Sequence, residues 1–396
     1  MHTDIVREKV RQASVLMQEF QIDCWITFVR ETAAVRDPIL DFLVTADLTW
    51  QSALIVTSTG SSIAIVGKYD RQTVVDTGAY DRVIDYVEGI RTSLLAELRA
   101  LNPRTIALNY SMDSEICDGI THGMFLAMMD MLREAGLDKR VISAETLISA
   151  LRQRKSASEI ACLREAVRHT EEIYALIGRT LRAGMTEEEV AGIMRAEVHK
   201  RGLGFAWDPT ACPAVFAGPD TAAAHYKPTD RVVQPGHVVN MDFGVRVEGY
   251  VSDLQRTFYV LRDDETIAPP AVQRGFDTIV EAIEKARSVL RPGVIGKEVD
   301  AAARSHITAA GYGEFPHALG HQVGRFAHDG TALLAPAWEK YGRKPFAPIE
   351  ENMVFTIEPR LTVPDHGVVT IEEMVIVTPG EAEYLSIPQR TLHCVH

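Results

Sequence analysis

The chain has 396 residues, of which 46% are hydrophobic and 24% charged, and its formal net charge is -13. That length leaves room for two domains with full cores, and the balance is ordinary for a globular protein. The acidic charge argues against nucleic acid as a partner, because phosphate binding needs a basic surface.

No apolar run approaches the roughly 20 residues needed to span a bilayer, and the first residues lack a signal-peptide pattern. No membrane partner is therefore expected. Ile5, Val6, Val10, Ala13, Leu16, Met17 and Phe20 recur at helical spacing, so the chain starts with a folded helix. The five cysteines, Cys24, Cys117, Cys162, Cys212 and Cys394, are scattered without a Cys-x-x-Cys pair. That fits a reducing cytoplasm and excludes a thiolate metal site. Short β-rich runs at 24–29, 53–57, 63–66 and 105–109 alternate with helical stretches such as 124–135, an α/β pattern without a catalytic motif. Residues 151–156 (Leu-Arg-Gln-Arg-Lys-Ser) form a charged connector, and a long helix is expected from Ser158 to about Arg182. Residues 1–150 and 151–396 are accordingly read as two domains.

The second domain carries a faint internal repeat. Residues 181–190 match residues 290–299 at five of ten positions, each time between two helices, and Thr186 with Glu189 reads as a capping box. Each copy reads as helix, Gly-containing turn, helix, hairpin. In the first hairpin, Asp242 and Asp253 flank the Glu248-Gly249 turn; in the second, Glu358 and Glu372 flank Pro364-Asp365-His366-Gly367. Residues equidistant from a turn are cross-strand neighbours about 5 Å apart, where like charges destabilise a sheet. The strands are apolar (Val238, Val239, Met241, Phe243, Val354, Phe355, Ile357, Ile371, Met374, Val375), and carboxylates are seldom buried unless they are paired or coordinate a metal. Pairing with Arg246, Arg256 or Arg360 would explain any single one of them. Two mirror-symmetric pairs point instead to a cation between them.

Histidines fall between these pairs in sequence. His317, His321 and His328 lie close together amid glycines, and His225 follows a small-residue loop. A lone histidine is more often a satisfied surface or core residue than a ligand, and His2, His122, His169, His199 and His396 are read that way.

The order Asp242, Asp253, His321, Glu358, Glu372 stands within Met-Asp-Phe-Gly, Ser-Asp-Leu-Gln-Arg-Thr, His-x-x-Gly-His-x-x-Gly, Thr-Ile-Glu-Pro and Ile-Glu-Glu-Met-Val. It resembles the pita-bread metallopeptidases: Xaa-Pro aminopeptidases, prolidases and methionine aminopeptidases. Arg152, Lys155, Glu159 and Ile160 are similar to the domain junction of the proline-specific branch. The resemblance implies an α/β creatinase-like N-terminal domain and an α+β pita-bread catalytic domain. It further implies that Asp242 chelates one divalent ion, His321 and Glu358 the other, and that Asp253 and Glu372 bridge both. One imidazole among hard oxygens favours manganese, with cobalt, iron or zinc as alternatives. By the same resemblance Glu358 is the general base, and His225, His317 and His328 face the substrate. The expected activity is hydrolysis of the bond before proline in dipeptides or short peptides, by a cytoplasmic homodimer. A metal-dependent non-peptidase C-N hydrolase of the creatinase or ectoine hydrolase kind is the alternative; the complete ligand set argues against a catalytically silent binding module. Three departures bear on the substrate: Thr370 stands where relatives carry arginine, Arg360 where glycine usually follows Glu-Pro, and Arg325-Phe326 where an aliphatic-acidic pair is usual.

Overall fold

The structure, a computed structural model, describes residues 2–220 and 226–396. The chain divides into two compact units, Met1–Arg152 and Gln153–His396.

The first unit is built on a sheet of β1 (Cys24–Val29), β2 (Ser52–Thr57), β3 (Ser62–Gly67), β4 (Arg82–Tyr86), β5 (Ile106–Leu108) and β6 (Val141–Ser143), in the order β4-β3-β2-β1-β5-β6. Strands β1, β2 and β3 are buried at every position, which is why they read as continuous apolar runs rather than as alternating ones. Helices α1 (His2–Glu19), α2 (Arg71–Thr77), α3 (Arg91–Leu101) and α4 (His122–Glu134) accompany the sheet, and α5 (Glu145–Gln153) leads to the unit boundary. Ile26, Phe28, Ile55, Leu94, Leu98 and Met128 meet in one core. The buried Arg152 donates to the Pro38 carbonyl at 2.7 Å.

In the second unit, α6 (Ala157–Thr180) begins with a capping box between Ser156 and Glu159. Its buried positions, among them Cys162, Leu163, Ala166, Val167, Thr170, Ile173, Tyr174 and Ile177, follow helical spacing and form one apolar face. After it come α7 (Glu187–Lys200), capped by Thr186 and Glu189, then α8 (Pro270–Val289) and α9 (Gly296–Ala309). The repeat is visible in the backbone: just before α7, Thr186 bridges Val232, and just before α9, Ile295 bridges Pro348.

Each copy leads into strands. The first supplies β7 (Gly204–Phe205), β8 (Ala214–Ala217), β9 (Val238–Phe243), β10 (Val245–Val247), β11 (Tyr250–Val251) and β12 (Leu254–Val260); the second supplies β13 (Val354–Ile357), β14 (Arg360–Val363), β15 (Gly367–Thr370) and β16 (Glu373–Ile376). Two short strands follow, β17 (Glu383–Tyr384) beside β16 and β18 (His393–Val395) beside β12. Phe276, Ile279, Val299, Phe355, Ile357 and Leu361 meet in one core that gathers α8, α9 and the second strand set. Each buried phenylalanine there contributes roughly 1.5–3 kcal/mol by area. An isolated bridge between Gln255 and Glu372 ties the two hairpins together. Among the described residues no helix is long and apolar enough to cross a membrane.

Candidate functional site

The second hairpin has the register expected for it. Val354 pairs with Ile376 and Ile357 with Glu373, and beyond a short interruption Arg360 pairs with Thr370 in the same frame. Glu358 and Glu372 face each other across that interruption. The first hairpin differs from expectation. Val247 pairs with Tyr250 around a two-residue turn in which Glu248 and Gly249 have φ of 49° and 83°, the left-handed pair of a type I′ turn. That turn sets the register, so Asp242 pairs with Gln255 and not with Asp253. Asp253 is the diagonal neighbour, in the gap between β11 and β12. It still shares the face of Asp242, because side chains two residues apart on a strand point the same way.

Both hairpins deliver their carboxylates to one place. Ligand atoms of Asp253, His321 and Glu372 lie within 4.8 Å of one another, and His321 Nε2 stands 3.4 Å from Glu358 Oε1. Asp242 joins them through a contact with Asp253. His321 is fixed by its backbone: its carbonyl accepts from Thr356 N at 2.8 Å and its N–H donates to Thr356 Oγ1 at 3.2 Å. The ring of His328 meets that of His321 edge to face, with centroids 4.2 Å apart. His317 packs on Phe315, its Nδ1 2.7 Å from the Ala318 carbonyl, and Arg304 binds the carbonyls of Phe315 and His317. His225 lies outside the described residues.

Electrostatics set this cluster apart. Burial, followed by the charge of neighbouring carboxylates, pushes Asp253, Glu358 and Glu372 well above the usual carboxylate range. Burial also raises Asp242, to about 7. Among the described residues no lysine or arginine lies within ion-pair distance of the four. Arg256 pairs with Glu373 at 3.1 Å, and Arg246 donates to the carbonyls of Gly249, Arg325 and Ala206. Desolvation lowers the half-buried Arg360, which has no anionic partner among the described residues. Asp242 Oδ1 and Glu372 Oε1 are buried without a hydrogen-bond partner. Orphaned acceptors, like charges at contact distance and one imidazole fit a divalent cation, which would reverse the sign of the repulsion.

Two contributors were not apparent from the sequence. Gln255 Nε2 donates to Glu372 at 2.9 Å and to Glu358 at 3.3 Å; its signal was its place two residues beyond Asp253, on the same strand face. Lys155 forms a fully buried pair with Asp329 at 3.9 Å, and Asp329 accepts from Arg325 N at 2.7 Å, which anchors the loop beside His328. No local pattern links residues so far apart in sequence. Arg325 itself is buried with its guanidinium over Tyr250, 5.2 Å from the ring centroid.

Comparison with known proteins agrees with this chemistry. Residues 161–379 match metallopeptidase family M24. An uncharacterized peptidase of Bacillus subtilis, YqhT, is 28% identical over 263 residues, covering 66% of this chain and 69% of its own length. The Xaa-Pro dipeptidase of Pyrococcus furiosus is 28% identical over 276 residues, covering 69% of this chain and 74% of its own. Among solved structures, the X-Pro aminopeptidase from Thermotoga maritima has a TM-score of 0.71 and 26% identity, covering 98% of this chain and 99% of that one.

Proposed function

Because the chain belongs to metallopeptidase family M24, we propose that it hydrolyses the amide bond before proline in dipeptides or short peptides, using two divalent ions. The observation that carries this reading is the cluster of four carboxylates, two buried and two partly buried, and one imidazole, with no compensating lysine or arginine among the described residues. Asp242, Asp253, His321, Glu358 and Glu372 would hold the ions. Bound there, such ions polarise the scissile carbonyl and make a nearby water acidic. Manganese suits the oxygen-rich donor set best, with cobalt, iron and zinc as alternatives. The catalytic unit is Gln153–His396.

The rest of the work falls to side chains. Glu358 accepts the proton of the attacking water and delivers it to the leaving nitrogen. Gln255 holds the Glu358 and Glu372 carboxylates in place through its two N–H donors. His328, held edge to face against His321, and His317 face the peptide and stabilise charge as it develops on the carbonyl oxygen; the family resemblance gives His225 the same role. Bonds to proline lack an N–H, so recognition relies on ring shape and on the carbonyl. Relatives named Xaa-Pro dipeptidase and X-Pro aminopeptidase support this substrate class.

Proline release from Ala-Pro, compared with Ala-Ala, creatine and an N-acetylated diamine acid, tests the reading. Metal-dependent turnover of Ala-Pro alone supports it. Turnover of creatine or of the acetylated amine with Ala-Pro untouched moves the activity to a non-peptidase C-N hydrolase.

A further inference from the structure

Arg360 opens β14 directly opposite Thr370 of β15. The next residues of β14 that turn inward, Leu361 and Val363, belong to the apolar core beside Gly275 of α8. Side chains alternate along a strand, so Arg360 and Thr370 point to the opposite face. The pairing frame is the same on both sides of the interruption at Glu358 and Glu372. Period two therefore puts Arg360 on the face of Glu358 and Thr370 on the face of Glu372, about 7 Å further along the strands.

Neither side chain is engaged there. Arg360 is half-buried and Thr370 buried, and among the described residues neither guanidinium nor hydroxyl has a hydrogen-bond or ion-pair partner. The bonds of Thr370 are made by its backbone, to Asn240 and Thr257. Withdrawing a guanidinium from water without an anion is costly, and the planar fork matches a carboxylate. In a dipeptide the terminal carboxylate sits on the residue just after the scissile bond, about one residue length from the carbonyl. A flexible arginine one strand repeat from Glu358 spans that distance, whereas a longer peptide brings a neutral amide to the same point.

We propose that Arg360 and Thr370 form a carboxylate-reading subsite that takes the free C-terminal carboxylate of the residue after the cleaved bond, so that free-acid dipeptides are the preferred substrates. This inference rests on the hydrolase reading above. Its test compares Ala-Pro with Ala-Pro-amide in the Mn²⁺-loaded full chain, for the wild type, Arg360→Ala and Arg360→Lys. Arg360→Ala should raise KM for Ala-Pro about ten- to a hundredfold, with a change of less than about twofold for the amide and an intermediate effect for Arg360→Lys. Equal losses on both substrates would overturn the subsite. Calorimetric binding of the uncleavable reduced-amide analogues, as free acid and as carboxamide, gives a readout independent of turnover. If the wild type cleaves neither substrate, the peptidase reading fails, and binding alone decides the subsite. A free-acid preference that disappears in Arg360→Ala upholds it; no such preference in the wild type overturns it.

Discussion

His328 and His321 touch, yet they have different chemical surroundings. His321 Nε2 sits 3.4 to 3.9 Å from carboxylate oxygens of Glu358, Asp253 and Glu372, whereas His328 packs on the His321 ring. A group that meets the substrate acts on the transition state and leaves the ions in place. His328→Ala should thus cut Ala-Pro turnover by about a hundredfold while metal content, measured by elemental analysis, stays unchanged. His122, the first residue of α4 in the other unit, is the control. Equal effects of His122→Ala and His328→Ala would remove His328 from the site.

At the scale of elements, the site depends on how closely two segments approach. A Cβ on Gly320 would lie 2.0 Å from the Thr356 carbonyl oxygen, at the point where the His321 backbone pairs with β13. Backbone cannot yield as a side-chain tip does. Gly320→Ala should push His321 away from Glu358, lower divalent-ion affinity and destabilise the chain by about 1–3 kcal/mol, read from thermal unfolding and metal titration. Normal metal uptake with unchanged stability would show that this contact does not position His321. The same scale separates what the sequence revealed from what it concealed. Charged residues in apolar strands stand out by composition, so the four carboxylates were conspicuous. Their register was not: the midpoint of Asp242 and Asp253 falls one residue from the centre of the turn that forms, and turn geometry decides pairing. In the second hairpin the midpoint and the turn agree, so Glu358 and Glu372 could be paired from sequence. Gln255 and the Lys155–Asp329 pair depend on tertiary contacts that no local pattern announces.

Across the whole molecule, the chain comprises an α/β unit of creatinase-like type and a pita-bread unit with an internal repeat, and the X-Pro aminopeptidase from Thermotoga maritima matches 98% of it. The chain's structural cost is concentrated in the carboxylate cluster. Without ions, burial raises the Asp242 carboxyl to about 7, and burial with mutual repulsion raises Asp253, Glu358 and Glu372 well above the usual carboxylate range. A raised carboxyl contributes stability that is complete below its ordinary value and is lost as pH climbs through its folded value. Chelated protein should therefore lose thermal stability between about pH 4 and 7, while the Mn²⁺-loaded form does not, so the gap between the two melting temperatures widens with pH. A chelated form equally stable at both ends of that range would contradict the compensation argument.

The most direct test of the central claim, that these five side chains hold the ions on which hydrolysis depends, is a calorimetric titration of chelated, refolding-competent protein with Mn²⁺. The wild type should bind about two ions per chain, and Asp253→Asn, which removes a negative charge from the centre of the cluster, should bind neither tightly. A folded Asp253→Asn chain that takes up Mn²⁺ as the wild type does, or a wild type that takes up none, would contradict it.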